Sequence, residues 1–547
     1  MQVRPLSINY KPMLTISQAK SFVSKNKYVL ILALIIVWGF FLRIYNLGFQ
    51  SYWIDEGYTL NAVLATIEKG YPILESGFHY SRAILNTYII AGFVKVFGFN
   101  PWITRLPSVI FGTLFIYLIY RFAKRFFNQK IALITALLVA LSYWEIAWSR
   151  QARMYIQLQF FYFLSLYFFW KFINKYDIKN FIYTSVFTLL AILSHLFGLL
   201  LLPVYLITFL TPTLGKWVLK KSFGKKESIL AKYLNPIKQL KQKNPVCFYS
   251  LIIISLTFLF YILYLGIPIL KDVLHKSINV SGAYQSFLIQ KMPIILFGAL
   301  LGLFWAAIRE KNNLKIFFLF LSYTAPYLII VNFTELVHFR YIFFILPILY
   351  IFVAYLIFHL AYTIKNLYYH LTSRIHIPFV NISAVFVYHL VFIGLLVLVL
   401  TKSFIFLPRA DYVLEPLTPQ PDFKGAYKFI KKDWSLDKVI ISPFSQMDKI
   451  YLGKADYWLP ISLTGGKQDF EFLITQDKKH EVYTNAPIIQ NLTQFKDITK
   501  NNKGYIIIDE MSAVRLHKEL LDYIKENLGL VWNHDQGLWR RIWVYSF

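Results

Sequence analysis

The stretch YVLILALIIVWGFFLRIYNLGFQSYWIDEGYTL, residues 28–60, changes character in its middle. Up to Leu47 it is apolar almost throughout, and about 20 apolar residues in a helix are what a bilayer requires. Two carboxylates, Asp55 and Glu56, then stand directly behind Trp53, with Tyr58 beyond them. A solvated linker accounts for the charges but not for the aromatic side chains around them. A buried site accounts for both. The choice depends on where the rest of the chain places its charges.

The chain has 547 residues, of which 57% are hydrophobic and 19% aromatic, and its mean hydropathy is +0.50. Soluble domains of this size do not have such a composition. The reading is a polytopic α-helical membrane protein. The formal charge of +29 belongs with lysines that collect in cytoplasmic loops, so no nucleic-acid partner is expected. The lone Cys247 lies in an apolar run, which excludes an internal disulfide framework. The basic N-terminal stretch lacks a small-residue cleavage site, and the run after it is too long for a signal peptide, so it reads as an uncleaved first span.

Charge sets the topology. Lys20, Lys25 and Lys27 precede the first span, at 28–47, and place residues 1–27 in the cytoplasm as a tail. Basic loops at 121–130, 171–179, 216–243, 309–315 and 365–374 read as cytoplasmic. Spans then fall near 105–120, 131–149, 156–172, 180–195, 197–214, 246–267, 288–308, 314–332, 341–362 and 378–401. Between the outer SYWIDE and the inner RFAKRFFNQK the number of crossings must be odd. Residues 83–99 are short and contain Lys95, and they read as a helix in the outer interface. About 11 spans result, in a transmembrane domain at 28–403 whose first outer loop is 48–104. From residue 404 to 547 helical and strand periodicities alternate, as in a C-terminal extracytoplasmic α/β domain.

The outer loops then carry the chemistry. Loop one holds Asp55, Glu56, Glu75, His79 and Arg82; the turn after the third span holds Arg150, Arg153 and Tyr155. His195 sits at the junction of two spans, and NFTELVHFRY supplies Glu335, His338, Arg340 and Tyr341. Arginines on the face that should avoid cations need a reason. A planar guanidinium matches phosphate oxygens in a bidentate fork, and a lipid phosphate at the interface is the natural partner. Each of these residues alone reads as readily as an interfacial anchor or a packed side chain; the acidic pair Asp55–Glu56 is the hardest to dismiss. No HExxH, GxSxG or phosphate-binding glycine loop occurs. A polytopic transporter or lipid flippase is the competing class. It would place ionisable groups deep within spans, and here the span interiors are apolar.

The order of these motifs resembles a known family. A first span, W-x-D-E, an interfacial helix ending in VFG, then RLPSVIFGTL and LSYWEIAWSRQARMY, is similar to the GT-C superfamily of membrane glycosyltransferases. The nearest branch is that of protein O-mannosyltransferases and lipid A aminoarabinose transferases. The likeness covers roughly residues 30–210 and returns at FRYIFFILP. It implies an enzyme that takes a monosaccharide from a polyprenyl-phosphate donor on the outer side of the membrane. The acceptor would be a protein hydroxyl, a glycolipid or a cell-wall glycan. It implies Asp55 as the catalytic acid of the first loop, with Glu56 beside it to position it, bind sugar or hold the loop. It implies Arg82 and Arg340, with Arg153, as ligands of the donor phosphate; His79, Arg150, Tyr155 and Tyr341 are further candidates for substrate binding. Two departures stand out. HYSRA replaces the proline-containing motif before the interfacial helix, and RQARMY lacks the second aspartate of many relatives. No cofactor is therefore assigned, and a divalent cation is left open. Lys-, Ile- and Asn-rich usage suggests a bacterial plasma membrane, with undecaprenyl phosphate as the carrier.

Overall fold

The computed structural model describes residues 16–211, 242, 244–245, 249, 278–333, 338–374, 383–401, 404–413, 420–460, 473–537 and 539–547. The span read at 246–267, Cys247, Glu335 and nearly all of the basic loop 216–243 lie outside these residues.

Every other span read from the sequence falls on an apolar helix. These are α1 (Ile16–Ile44), α4 (Pro101–Phe126), α5 (Gln129–Leu141), α7 (Tyr155–Lys175), α8 (Ile178–Ser194) and α9 (Leu196–Thr211). They continue as α11 (Pro293–Arg309), α12 (Asn313–Phe333), α13 (Pro347–Arg374) and α14 (Ala384–Leu400). A further helix, α10 (Ile278–Lys291), meets α11 at a bend of 98°. Among the described residues five helices are individually long and apolar enough to cross a bilayer, or six if the bent pair counts as one. The chain is thus a multi-pass membrane protein. The count of 11 is finer than these helices establish.

Boundaries differ from the sequence reading at several spans, three of them in kind. The first helix begins at Ile16, well before Tyr28, because polar residues can extend a helix beyond the apolar run. The span read at 131–149 breaks at Ser142 into α5 and a short α6 (Tyr143–Trp148). The span read from 341 starts only at Pro347, since residues 339–345 form two 3-10 turns. Between α1 and α4, α2 (Ile54–Lys69) and α3 (Ile84–Phe97) build the first loop. α3, with 14 residues, belongs with α5, α8, α9 and α14 among the shorter apolar helices.

Polar side chains bind the helix ends together. Arg43, fully buried, donates to Val139 O, Ala140 O and Gly39 O and to the Ser149 hydroxyl. Two of those carbonyls belong to the last turn of α5, which has no partner inside its own helix.

Beyond α14 a mixed five-stranded sheet forms. In chain order come α15 (Phe423–Ile430), β1 (Val439–Ser442), α16 (Ser445–Leu452), β2 (Tyr457–Trp458), α17 (Leu492–Asn501) and β3 (Gly504–Asp509). They are followed by α18 (Glu510–Arg515), α19 (Lys518–Asn527), β4 (Gly529–Asp535) and β5 (Arg541–Ser546). The strand order is β2-β1-β3-β5-β4, parallel from β2 to β3 and antiparallel from there. GYIIID forms the central β3, buried at every position, as an apolar run inside a sheet must be. One core joins this α/β unit to the first loop: Tyr52, Leu60 and Val63 pack with Phe423, Tyr427, Phe444 and Met447.

Candidate active site

Asp55 sits in the first turn of α2, where its side chain keeps 18% of its exposure. Two guanidinium groups face it. Arg340 Nη2 lies 3.4 Å from Asp55 Oδ2, and Arg153 Nη2 lies 3.6 Å from the same oxygen. These residues come from the first loop, the turn before α7 and the turn before α13, so the tertiary structure gathers three distant segments at one carboxylate.

Each arginine is held in place. Arg153 Nη1 donates to Asp55 O (2.9 Å) and to Thr59 Oγ1 (2.5 Å), and reaches Tyr80 OH at 3.4 Å. Arg340 stands 5.0 Å over the Trp53 ring and 5.7 Å from that of Tyr341, a cation–π seat that orients a guanidinium. Trp53 rests edge-on against Trp148, and Trp148 against Tyr155. Tyr155 also lies under Arg153 at 5.9 Å. The two tyrosines singled out in the sequence therefore flank the cations. His195 joins the same shell, 5.8 Å from the Tyr155 ring, and its Nδ1 accepts the Phe197 N–H.

Burial by itself pushes the Asp55 carboxyl upward. Arg340, Arg153, His338 and Arg82, in falling order, outweigh burial and hold it below its ordinary 3.8. A carboxyl depressed in the folded state contributes stability above its unfolded value, and loses it as pH falls through the lower folded value. The acid limb of kcat/KM is therefore expected below pH 3.8, and Arg340→Ala should move it upward. A pH–rate profile of both proteins checks this.

Arg82 is exposed, beside α3, and acts on Asp55 through charge. His79 is also exposed; its backbone pairs with Ile73, and it is not among the charges that act most strongly on Asp55. Glu75, exposed, pairs with Lys449 at 2.6 Å.

Two expected site residues are spent elsewhere. Glu56 is completely buried. Its Oε1 accepts Arg105 Nε (2.9 Å) and Ala152 N (2.7 Å); its Oε2 accepts Arg105 Nη2 (2.8 Å) and Trp53 N (2.9 Å). A carboxylate has about four acceptor sites, and in Glu56 all four are filled from within the protein. Of the roles considered for it, holding the loop fits. Arg150, 3% exposed, donates to Arg43 O, Tyr45 O, Asn46 O and Ala410 O. It satisfies carbonyls around the end of α1 and does not face Asp55.

The residue that sequence reading missed is Arg105. It is 1% exposed, and all five of its donors are used: the two bonds to Glu56, and one each to Leu47 O, Gln50 O and Ser51 O besides. A signal was present in RLPSVIFGTL, since an arginine entering a span on the outer side needs a buried acceptor. Among the described residues no group of three or more His, Cys, Asp or Glu could hold a metal ion. The charged groups facing Asp55 across its carboxylate are the arginines Arg153 and Arg340.

Residues 81–231 match the family of dolichyl-phosphate-mannose-protein mannosyltransferases. No curated protein matches the chain. Among solved structures, the archaeal oligosaccharyltransferase AglB from Archaeoglobus fulgidus, complexed with an inhibitory peptide and a dolichol-phosphate, is 12% identical. It is similar over 94% of this chain and 74% of its own, with a TM-score of 0.56. ArnT from Cupriavidus metallidurans bound to undecaprenyl phosphate is 13% identical over 95% of this chain and 98% of its own, with a TM-score of 0.54. The same ArnT without ligand gives 0.53 at 13% identity, over 96% and 98% of the two chains. At such identities the structures speak for the fold, and the family match speaks for the segment from the first loop onward. The chain shares the GT-C fold of these structures, and its residues 81–231 are similar to the dolichyl-phosphate-mannose-protein mannosyltransferases, a likeness that the motif order in the sequence also carries.

Proposed function

We propose that the protein is a glycosyltransferase that moves a monosaccharide from a polyprenyl-phosphate donor to an acceptor on the outer face of the membrane. The observation that carries this reading is the convergence of Arg153 and Arg340 on Asp55. The matched family acts with dolichyl-phosphate-mannose, and the two relatives were captured with dolichol-phosphate and undecaprenyl phosphate. No comparable observation favours a transporter.

In the reaction an acceptor oxygen forms a bond to the anomeric carbon as the bond from that carbon to the phosphate oxygen breaks. Asp55 takes the proton of an acceptor hydroxyl, and polyprenyl phosphate departs with the bonding pair. Negative charge on the leaving group grows in the transition state, so Arg340 and Arg153, with Arg82 at the rim, stabilise that state more than the ground state. In the ligand-free site these cations neutralise Asp55 and weaken it as a base. A bound phosphate draws them away and raises its basicity, which couples base strength to donor occupancy. An acceptor phosphate would need no base, and Asp55 would then orient it.

Eleven spans, with the site and residues 404–547 outside a bacterial plasma membrane, complete the reading. The division is a cytoplasmic tail at 1–27, a transmembrane domain at 28–403 and an α/β domain at 404–547. Sugar transfer from labelled polyprenyl-phosphate monosaccharides in proteoliposomes tests the function; an absence of transfer from every such donor would refute it. Arg340→Ala should raise the apparent donor KM by about tenfold or more, since one charge-assisted bond is worth roughly 1.5–3 kcal/mol. An unchanged donor KM removes Arg340 from the phosphate site.

A further inference from the structure

Residues 55–58 form one turn of α2, and each is committed to a different partner. A helix turns by about 100° per residue, so consecutive side chains look outward in all directions. Asp55 faces Arg153 and Arg340, Glu56 faces Arg105, Gly57 meets α16, and Tyr58 lies 4.2 Å, centroid to centroid, from Tyr483. The last two partners belong to the C-terminal α/β unit.

We infer that this unit is a clamp that positions α2 for catalysis, with Gln446, Tyr451 and Tyr483 as positioning residues. The inference rests on the glycosyltransferase reading for its activity measurement only. Recognition of the acceptor is the other role such an outer domain suggests, but the contacts here go to the helix that carries Asp55.

The clamp holds the first loop at several points. At Gly57 an added Cβ would stand 2.9 Å from Gln446 Cγ and 3.1 Å from Met447 Sδ. There an added methyl group would have to displace the Gln446 side chain or the helix. One turn on, Asn61 Nδ2 donates to Gln446 O at 3.0 Å. Before the helix, Tyr52 N donates to Tyr451 OH at 3.2 Å, and the Tyr451 ring stacks on Tyr427. On the remaining side, Tyr483 is packed by the rings of Tyr58, Phe78 and Tyr80, and the Ser76 hydroxyl donates to Val482 O. The clamp is itself rigid. The buried carboxylate of Glu481 accepts Tyr483 N (2.9 Å), Thr484 N (2.7 Å) and the hydroxyl of Ser445 (3.2 Å), which is the first residue of α16. The turn that carries Tyr483 and the helix that carries Gln446 and Tyr451 therefore move together. Tyr80, held against Tyr483, also meets Arg153 Nη1, so the clamp reaches the cation as well as the carboxylate.

A paired substitution tests this. Gly57→Ala pushes α2 from α16 by the overlap with Gln446 Cγ, and Gln446→Ala removes that atom while the backbone bond from Asn61 stays. A displacement of about 1 Å at a reacting group costs on the order of a hundredfold in rate. The overlap at Gly57 is a fraction of that distance, so Gly57→Ala alone should lower kcat by about three- to tenfold with the donor KM within about twofold, and the Gly57→Ala/Gln446→Ala double variant should recover most of the loss. Full kcat in Gly57→Ala, or a loss that Gln446→Ala does not relieve, overturns the clamp. Hydrogen exchange at the α2 amides reads the same pair without any activity: faster in Gly57→Ala and restored in the double variant if the clamp holds, unchanged if it does not. Wild-type protein that transfers no sugar would defeat the enzymatic reading, and exchange would still decide the clamp.

Discussion

Asp55→Asn is expected to reduce sugar transfer by about 10²–10⁴-fold, the usual contribution of a general base. The amide keeps the shape of the carboxylate, so α2 and its contacts to Arg105, α16 and Tyr483 are left in place. It removes the negative charge that Arg340 and Arg153 face across 3.4 and 3.6 Å. A bound phosphate then meets those cations without a competing carboxylate charge, so donor affinity should hold or rise while kcat collapses. This opposite movement of kcat and donor affinity separates a chemical role from a structural one. Single-turnover transfer, with donor binding measured in parallel on the purified protein, checks it. Transfer at the wild-type rate would remove Asp55 from the mechanism.

Arg105→Ala should be the most damaging single change to the folded protein. Breaking a buried ion pair by deleting one partner costs about 3–5 kcal/mol, because the other charge stays buried. Here the loss goes further. Leu47 O, Gln50 O and Ser51 O lose their donor along with Glu56. Arg105→Lys should not rescue the protein, since an ammonium group has three donors and no planar fork to replace five directed bonds. Replacing both partners with apolar residues also fails, because the N–H groups of Trp53 and Ala152 then lose Glu56. Thermal unfolding in detergent, followed by the loss of monodisperse protein, measures each variant. An Arg105→Ala protein as stable as the wild type would show that Glu56 tolerates burial alone.

The two predictions divide the acidic pair, and the pair shows how far sequence reading reaches. Asp55 and Glu56 are adjacent and chemically alike, so nothing in WIDE separates them. Their environments do: one faces a partly open space with two guanidinium groups, and the other is sealed with every acceptor used. The same holds for the arginines. Arg150 and Arg153 lie in one turn, yet Arg150 serves backbone carbonyls near the end of α1 while Arg153 serves Asp55. Residue type and spacing show which loops carry charge, but only packing decides which way each side chain points.

By itself the sequence decided that the chain lies in a membrane, where its apolar helices run, that a sheet-containing unit follows them, and which loops hold acids and arginines. It could do so because helix burial in lipid and the period of a strand are local properties, written in consecutive residues. The tertiary structure alone decided that Arg340 meets Asp55, that Arg105 neutralises Glu56, and that Tyr483 and Gln446 press on the helix between them. Those pairings join segments as much as several hundred residues apart. They follow from the cost of leaving a buried charge or donor without a partner, which is settled only once the whole chain has closed around it.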